Sequence, residues 1–296
     1  MTTAPTAAPA DPRTHTELDR LLTDVLAQVR TDDRRLAEIV GSLVTHLHEF
    51  VREVRPTETE WLRGIDFLVR VGQTCTPDRN ELILLSDMLG LTSAVDEVNH
   101  AGPTGATPSS VEGPFHSHAP QRPLGDWIAA GPERDRADLM VVHGRVTDTD
   151  GVPIDGATVD VWQADDAGHY DTQDTDQPRG NLRGLFTTGP DGGYWFRSVL
   201  PASYPVPTDG PVGELLTALG RHPMRPAHVH LRVEAPGHRP VTTHVFVAGD
   251  EYLGSDAAFA VKDALIVTPV PRTDGAGWGV DGPFHDFAFD VRLVAR

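Results

Sequence analysis

The first hundred residues carry apolar side chains at the three- and four-residue spacing of amphipathic helices. One such pattern covers residues 18–29, behind a possible capping box formed by Thr14 and Glu17. A second pattern covers residues 36–54 and stops before Pro56, where proline should end the element. The N-terminal third is therefore predicted to be helical.

Thr57 and Glu60 form a second possible capping box, which opens another apolar pattern. This pattern runs to Val69, and Gly72 is predicted to close the helix. Two further segments complete the helical set, residues 78–89 and 92–100.

From Gly102 onwards the pattern changes to glycine, proline and short runs of β-forming residues. Asp150-Gly151 and Asp155-Gly156 are turn dipeptides beside strand-like segments. The later short runs are rich in valine and phenylalanine: GYWFRSV, AHVHLRVE, TTHVFVA, ALIVTPV and FAFDVRLV. Short strands separated by turn residues are typical of a β-sandwich or barrel with long loops.

The composition of the chain limits which partners and which cellular compartment we expect for this protein. Lysine and arginine number 25 against 43 acidic residues, a net charge of −18, which argues against nucleic acid and against an anionic membrane surface. The single cysteine, Cys75, excludes an internal disulfide and fits a reducing compartment. The N-terminus lacks the apolar core of a secretion signal, and no apolar run reaches the roughly 20 residues of a membrane span. We therefore expect a soluble, cytoplasmic protein.

The stretch RPAHVHLRVE places two histidines one residue apart on a predicted strand. Side chains alternate along a strand, so His228 and His230 should share one face while Val229 points to the other. Two neutral imidazoles on one face suit zinc, copper, iron or nickel. They are equally compatible with two half-exposed histidines that hydrogen-bond to neighbours.

A metal needs further ligands, and the residues alone leave two sets open. His228, His230 and Glu234 have the spacing of an Fe(II) cupin site, although the glycines that flank that pattern are absent. Tyr170 and Tyr204 both lie in loop-like stretches. A phenol ionises near pH 10, so only a strongly acidic ion such as Fe(III) would hold two phenolates at neutral pH. Either tyrosine alone is also consistent with a structural role.

Three runs resemble the intradiol ring-cleaving dioxygenases, which are non-haem Fe(III) enzymes that open catechols between the two hydroxyls. They are GATVDVWQADDAGHYD, NLRGLFTTGPDGGYWFRSVLPASYPVPTDGPVGELL and LGRHPMRPAHVHLRVEAPGHRPVTTHVFV, within a similarity that spans most of residues 80–270. The resemblance implies that Tyr170, Tyr204, His228 and His230 bind the iron. It also implies catalytic roles for Tyr204 as a base and for Arg225 as a fixed cation.

The same resemblance implies a mainly β fold, with a β-sandwich catalytic domain and an N-terminal all-α dimerisation domain. It implies a homodimer formed through the helices, which in the family enclose a lipid. The expected division is a disordered start at residues 1–13, a helical domain at 14–101 and a β-sandwich domain at 102–296.

Within the family, SYPVPTDGPVGELL, THVFV and YLGSDAAFAVKDALI resemble the branch that cleaves hydroxyquinol, benzene-1,2,4-triol. His244 fits that branch, whereas Glu112 matches the catechol-cleaving members. The predicted reaction joins hydroxyquinol and O2 to give 3-hydroxy-cis,cis-muconate and hence maleylacetate, and catechol or a chlorocatechol is the alternative substrate. A non-enzymatic β-sandwich binding module with structural histidines is the alternative from another class.

The resemblance also implies the walls of a substrate pocket. Asp87 is its most informative member, because a buried carboxylate could accept a hydrogen bond from a third hydroxyl, although an aspartate one turn from Leu84 is by default solvated. The predicted substrate-binding residues are Leu84, Asp87, Val111, Glu112, Gly113, Pro114, Phe115, Val206, Pro207, Arg225, His244 and Ala258.

Overall fold

The computed structural model describes residues 12–76, 79–101, 103, 105–135 and 138–296. By its internal contacts the chain divides into two units, one ending at Val69 and the other beginning at Arg70. The predicted disordered start, residues 1–13, lies for the most part outside the described residues.

Three helices occupy the N-terminal sequence. Asp33 opens the second helix, because its carboxylate accepts a hydrogen bond of 3.0 Å from the Leu36 amide. Arg55 ends that helix in a left-handed conformation with φ 51°, one residue before Pro56, as predicted. The helices are α1 (Pro12–Leu26), α2 (Arg34–Val54) and α3 (Glu58–Thr74).

The predicted helix ends had mixed outcomes. The box at Thr57 is confirmed: Glu60 accepts from the Thr57 amide at 2.7 Å, and the Thr57 hydroxyl accepts from the Glu60 amide at 3.2 Å. The box at Thr14 is wrong, because α1 begins two residues earlier and includes Thr14. The end at Gly72 is also wrong, since α3 continues for two more residues. A helix interior tolerates glycine at a cost of only about 1 kcal/mol.

Four shorter helices follow. They are α4 (Glu81–Met88), α5 (Leu91–His100), α6 (Gly131–Arg134) and α7 (Pro211–Ala218). The fully buried carboxylate of Glu81 in α4 accepts the amide of Val212 in α7 at 3.2 Å and pairs with Arg79 at 2.8 Å. Helices α6 and α7 were not predicted, because glycine and proline in these stretches suggested loops. Proline is nevertheless well suited to the first turn of a helix.

The second unit contains two five-stranded sheets. In the first, β1 lies between β4 on one side and β11 and β12 on the other, with β10 at the edge; the second has the order β3-β2-β7-β8-β9, and β5 pairs with β6. The strands are β1 (Leu139–Asp148), β2 (Thr158–Gln163), β3 (Arg183–Thr187), β4 (Gly193–Val199), β5 (Tyr204–Pro205), β6 (Met224–Arg225), β7 (His228–Glu234), β8 (Val241–Val247), β9 (Ile266–Val267), β10 (Val270–Arg272), β11 (Phe284–Ala288) and β12 (Val291–Leu293).

Two predicted strands are each divided in the structure. ALIVTPV contributes β9 to the second sheet and β10 to the first, with a break at Pro269, which cannot donate to a ladder. FAFDVRLV contributes β11 and β12, which pair with successive parts of β1. Strand β3 was not predicted, because its sequence RGLFT is too short to show a clear alternation.

The sheets pack face to face around an apolar core. Phe186 of β3 stacks on Phe196 of β4 with ring centroids 5.2 Å apart. Strand β7 is central in its sheet, antiparallel to both β2 and β8, and Val229, Leu231 and Val233 are fully buried. The predicted mainly β fold is confirmed. Among the described helices, none is both long and apolar enough to cross a membrane.

Candidate metal centre and active site

The opposite face of β7 carries the two histidines of the HVH pattern. His228 and His230 are almost completely buried, and their Nε2 atoms lie 3.1 Å apart. His230 stands opposite Trp162 of β2 and His244 of β8 in the two ladders. Trp162 stacks on the His230 ring, with centroids 4.6 Å apart and planes inclined by 14°. The sheet therefore holds the His230 imidazole in a fixed orientation.

A loop brings Tyr170 to these imidazoles, and Tyr204, which was predicted in a loop, begins strand β5. Asp165 folds the loop before Tyr170 by accepting the amides of Ala167 and His169 at 2.9 and 2.8 Å. Within this loop Gly168 has φ 86°, and a Cβ there would lie 2.6 Å from Cβ of Tyr204. Only glycine allows so close an approach of the two segments.

The polar atoms of four side chains lie close together. Tyr170 Oη lies 3.3 Å from Tyr204 Oη and 3.1 Å from His230 Nε2, which is in turn 3.1 Å from His228 Nε2. All four side chains are at most 3% exposed. Two phenol oxygens and two imidazole nitrogens at this spacing could bind one metal ion.

Burial sets the charge of the imidazoles. Desolvation lowers the pKa of His228 to about 3, and desolvation together with His244 and His228 holds the pKa of His230 well below its usual range. The Nδ1 of His228 lies 2.7 Å from the Pro226 carbonyl, which can only accept. His228 is therefore a neutral imidazole with its proton on Nδ1 and a lone pair on Nε2.

The phenol of Tyr170 is in a similarly dry environment. Burial, followed by the neighbouring Tyr204, raises the pKa of Tyr170 well above 10 when no cation is bound. A bound cation reverses this effect, because it stabilises the phenolate directly.

A buried cation lies next to the tyrosines. Arg225 of β6 pairs with Tyr204 of β5 in a two-residue ladder. Its Nε donates to Asp256 at 3.1 Å, and the same carboxylate accepts the amides of Ala258 and Ala260 at 3.1 and 3.0 Å. Burial would lower the pKa of Arg225, but the charges of Asp256 and Tyr204 raise it overall. The guanidinium is therefore permanently charged and held from one side.

Helix α4 contributes two of the predicted pocket residues. Leu84 and Asp87 are 5% and 4% exposed, so Asp87 is not the solvated residue that its position suggests by default. Its Oδ1 has no hydrogen-bond partner among the described residues. Desolvation raises the pKa of Asp87, while Thr92 and the charge of Arg225 oppose the shift.

The predicted loop 111–115 passes over this cluster of tyrosines and histidines. A Cβ at Gly113 would lie 3.5 Å from Cε1 of His230, and Phe115 stacks on Tyr170 with centroids 4.6 Å apart. Val111 is buried and Pro114 is exposed. The Glu112 carboxylate, by contrast, is 46% exposed and lies 3.7 Å from Arg232 at the surface.

The remaining predicted residues lie on elements that adjoin the cluster. Val206 and Pro207 come after Tyr204 and Pro205 in the chain, and Val206 is buried with its amide bonded to the Pro223 carbonyl at 2.9 Å. Ala258 is buried in the segment that Asp256 organises. Glu234 is exposed and pairs with Arg232 at 2.6 Å, so the cupin-like ligand set is not assembled.

Sequence reasoning missed Asp256 and Trp162. Asp256 lies 31 residues from the arginine that it binds, and a single aspartate in a loop gives no signal of that pairing. Trp162 lies in the predicted strand segment VDVWQ, which was a weak signal of its role. Predicting its contact with His230 would have required knowing that this strand pairs with the strand of the two histidines.

Comparison with known families decides between the alternatives. A family model described as dioxygenase matches residues 111–295, and one described as the catechol dioxygenase N terminus matches residues 33–107. The chain belongs to the intradiol ring-cleavage dioxygenases. The predicted resemblance is thereby confirmed, and the non-enzymatic module and the Fe(II) cupin are excluded.

This intradiol dioxygenase has relatives that match most of its length. It is 48% identical to hydroxyquinol 1,2-dioxygenase of Rhizobium sp. (strain MTP-10005), covering 91% of this chain and 94% of the relative. It is 48% identical to 6-chlorohydroxyquinol 1,2-dioxygenase of Cupriavidus pinatubonensis, covering 83% and 88%. The crystal structure of hydroxyquinol 1,2-dioxygenase from Pseudomonas putida DLL-E4 superimposes with a TM-score of 0.87 at 42% identity, covering 95% and 98%.

Proposed function

We propose that this intradiol dioxygenase uses Fe(III) to cleave hydroxyquinol between its two adjacent hydroxylated carbons. Both atoms of O2 enter the product, 3-hydroxy-cis,cis-muconate, which tautomerises to maleylacetate. The observation that carries the proposal is a row of two phenol oxygens and two imidazole nitrogens in which each successive pair of atoms is 3.1 to 3.3 Å apart.

The donor set fits a ferric ion. Tyr170, Tyr204, His228 and His230 would hold it through two phenolates and two neutral imidazoles, a combination that leaves one net positive charge. The tautomer of His228 already presents a lone pair towards the cluster. When bound, the ferric ion would acidify the diol and make its ring electron-rich enough to react with oxygen.

The protein's own groups would manage protons and charge. The phenolate oxygen of Tyr204 is the base that accepts a proton from a substrate hydroxyl. The guanidinium of Arg225, adjacent to Tyr204 in the β5–β6 ladder, stabilises the negative charge that develops on the ring. Asp256 holds this guanidinium in place and neutralises part of its charge before substrate binds.

Asp87 would select the triol. Its buried Oδ1 lacks a partner among the described residues, and a third hydroxyl would supply one. The names of the relatives in Rhizobium and Pseudomonas support hydroxyquinol, whereas Glu112 would have favoured catechol. Because the Glu112 carboxylate pairs with Arg232 at the surface, we give it no part in the choice of substrate.

The N-terminal helices would form the interface of a homodimer. Apolar side chains line one face of α2 and are 48% to 56% exposed, which is unfavourable in a monomer. The dimer, a lipid bound between its helices and a cytoplasmic location complete the proposal. The exposed residues on this face are Leu36, Ile39, Leu43, Leu47 and Phe50.

Spectroscopy and product analysis test the proposal. Protein loaded with iron should be wine-red, because tyrosinate bound to Fe(III) absorbs visible light. It should then consume one O2 per hydroxyquinol and yield maleylacetate, with a higher kcat/KM than for catechol. A colourless iron-loaded protein would remove the ferric assignment, and a preference for catechol would remove the substrate assignment alone.

A further inference from the structure

A third imidazole lies beside the two histidines assigned above to the ferric site. His244 is fully buried, and its ring centroid lies 4.7 Å from that of His228 and 4.2 Å from that of His230. One ring nitrogen from each of these three histidines lies within 4.8 Å of the other two. The ferric ligand set uses only two of them.

A short hydrogen-bonded chain fixes the tautomer of His244. The hydroxyl of Ser110 donates its one proton to the Ala260 carbonyl at 3.0 Å. Its oxygen, 2.9 Å from Nδ1 of His244, must therefore accept from that nitrogen. The proton of His244 is then on Nδ1, and Nε2 carries a lone pair. Nε2 is buried and has no hydrogen-bond partner within the described part of the chain.

His228 is held in the same way. Its Nδ1 donates to the Pro226 carbonyl, so its Nε2 also carries a lone pair. Outer partners that fix the tautomer and ring orientation are typical of metal-binding histidines. His244 thus has the features of a ligand, although the ferric set does not use it.

We propose that His228, His230 and His244 form a second binding mode of this site, in which three neutral imidazoles bind a divalent transition cation such as Co²⁺ or Zn²⁺. Imidazole suits such cations, and three histidines with an open fourth position form an established type of zinc site. Tyr170 and Tyr204 are not ligands in this mode. The inference shares two residues with the proposed function, but it depends on His244.

Cobalt binding to the metal-free protein tests this mode. Co²⁺ is titrated into wild type and two variants, and its visible d–d bands report the ligand set. His244→Gln removes the third imidazole and keeps all four ferric ligands. We expect it to weaken Co²⁺ binding about 100-fold or more, since losing even an outer partner of a ligand costs about 10- to 100-fold. Tyr204→Phe keeps the three imidazoles and should change the affinity by less than about threefold.

Three results would overturn the proposal: no Co²⁺ binding by wild type, equal binding by His244→Gln, or an equal loss in Tyr204→Phe. Circular dichroism checks that the metal-free variants fold, and His244→Phe, which keeps a buried ring, replaces the glutamine variant if that one does not. A parallel titration with iron separates this inference from the proposed function. Tyrosinate colour without cobalt binding would leave only the ferric proposal, and cobalt binding without colour would leave only the three-imidazole mode.

Discussion

Replacing Asp87 with alanine should weaken the preference of this dioxygenase for hydroxyquinol over catechol. The carboxylate is 4% exposed, and its Oδ1 has no hydrogen-bond partner among the described residues. A triol that reaches this oxygen satisfies it, whereas catechol leaves it without a partner. A site that contains such a group rejects the smaller ligand more strongly than an apolar site rejects an additional hydroxyl.

The expected size follows from a single hydrogen bond. A bond to a charged group contributes about 1.5 to 3 kcal/mol, and a factor of ten corresponds to about 1.4 kcal/mol. Asp87→Ala should therefore reduce the ratio of kcat/KM for hydroxyquinol to that for catechol by about 10- to 100-fold, without loss of catechol cleavage. Oxygen uptake measured with both substrates on the same enzyme preparation gives this ratio directly.

A control distinguishes lost recognition from general damage. Asp96 is another buried aspartate, on α5, but its carboxylate is already bonded to Ser109 and His100. Asp96→Ala should lower stability and leave the substrate ratio unchanged. If Asp87→Ala loses both substrates equally, Asp87 is a structural support and the argument for selection is wrong.

Four further predictions concern the ligands, the arginine, the oligomer and the pH dependence of stability. Tyr204→Phe should retain iron and a shifted visible band while losing most turnover, whereas His228→Ala should lose iron on metal analysis; normal turnover in the first or full iron in the second would contradict the assignments. Asp256→Asn should lower kcat about tenfold or more without changing the tyrosinate band, because the guanidinium is no longer held in place; an unchanged kcat would show that the pairing is dispensable. Light scattering should give twice the chain mass of 32.1 kDa, and a monomer at micromolar concentration would refute the interface. Burial raises the pKa of Asp87 above the ordinary value of 3.8, so its ionisation costs the folded protein more and more stability as the pH rises above 3.8. The Tm of Asp87→Asn minus the Tm of wild type should therefore increase from pH about 4 to pH about 7. A Tm difference that stays constant would show that burial does not disfavour the ionised carboxyl.

The parts of the fold that could be predicted were those set by local periodicity. The helical pattern and Pro56 were enough to locate the end of α2. Strand alternation was enough to place His228 and His230 on one face. In both cases the deciding interactions lie within a few residues along the chain.

The parts that could not be predicted depend on contacts between distant segments. ALIVTPV was expected to be one strand, and its division between two sheets depends on which neighbours each half finds. The partnership of Arg225 with Asp256, and that of His244 with Ser110, joins residues 31 and 134 positions apart. The tyrosines were identified through family resemblance, because a tyrosine in a loop has no periodicity that reveals its partner.

The close approach of Gly168 to Tyr204 has a consequence for protein engineering. Because a Cβ at position 168 would lie 2.6 Å from Cβ of Tyr204, the separation of the two tyrosine segments is set by backbone contact. Any larger residue there would shift one of these segments and with it a phenol oxygen. Mutant libraries that aim at new ring substrates should therefore keep Gly168 constant.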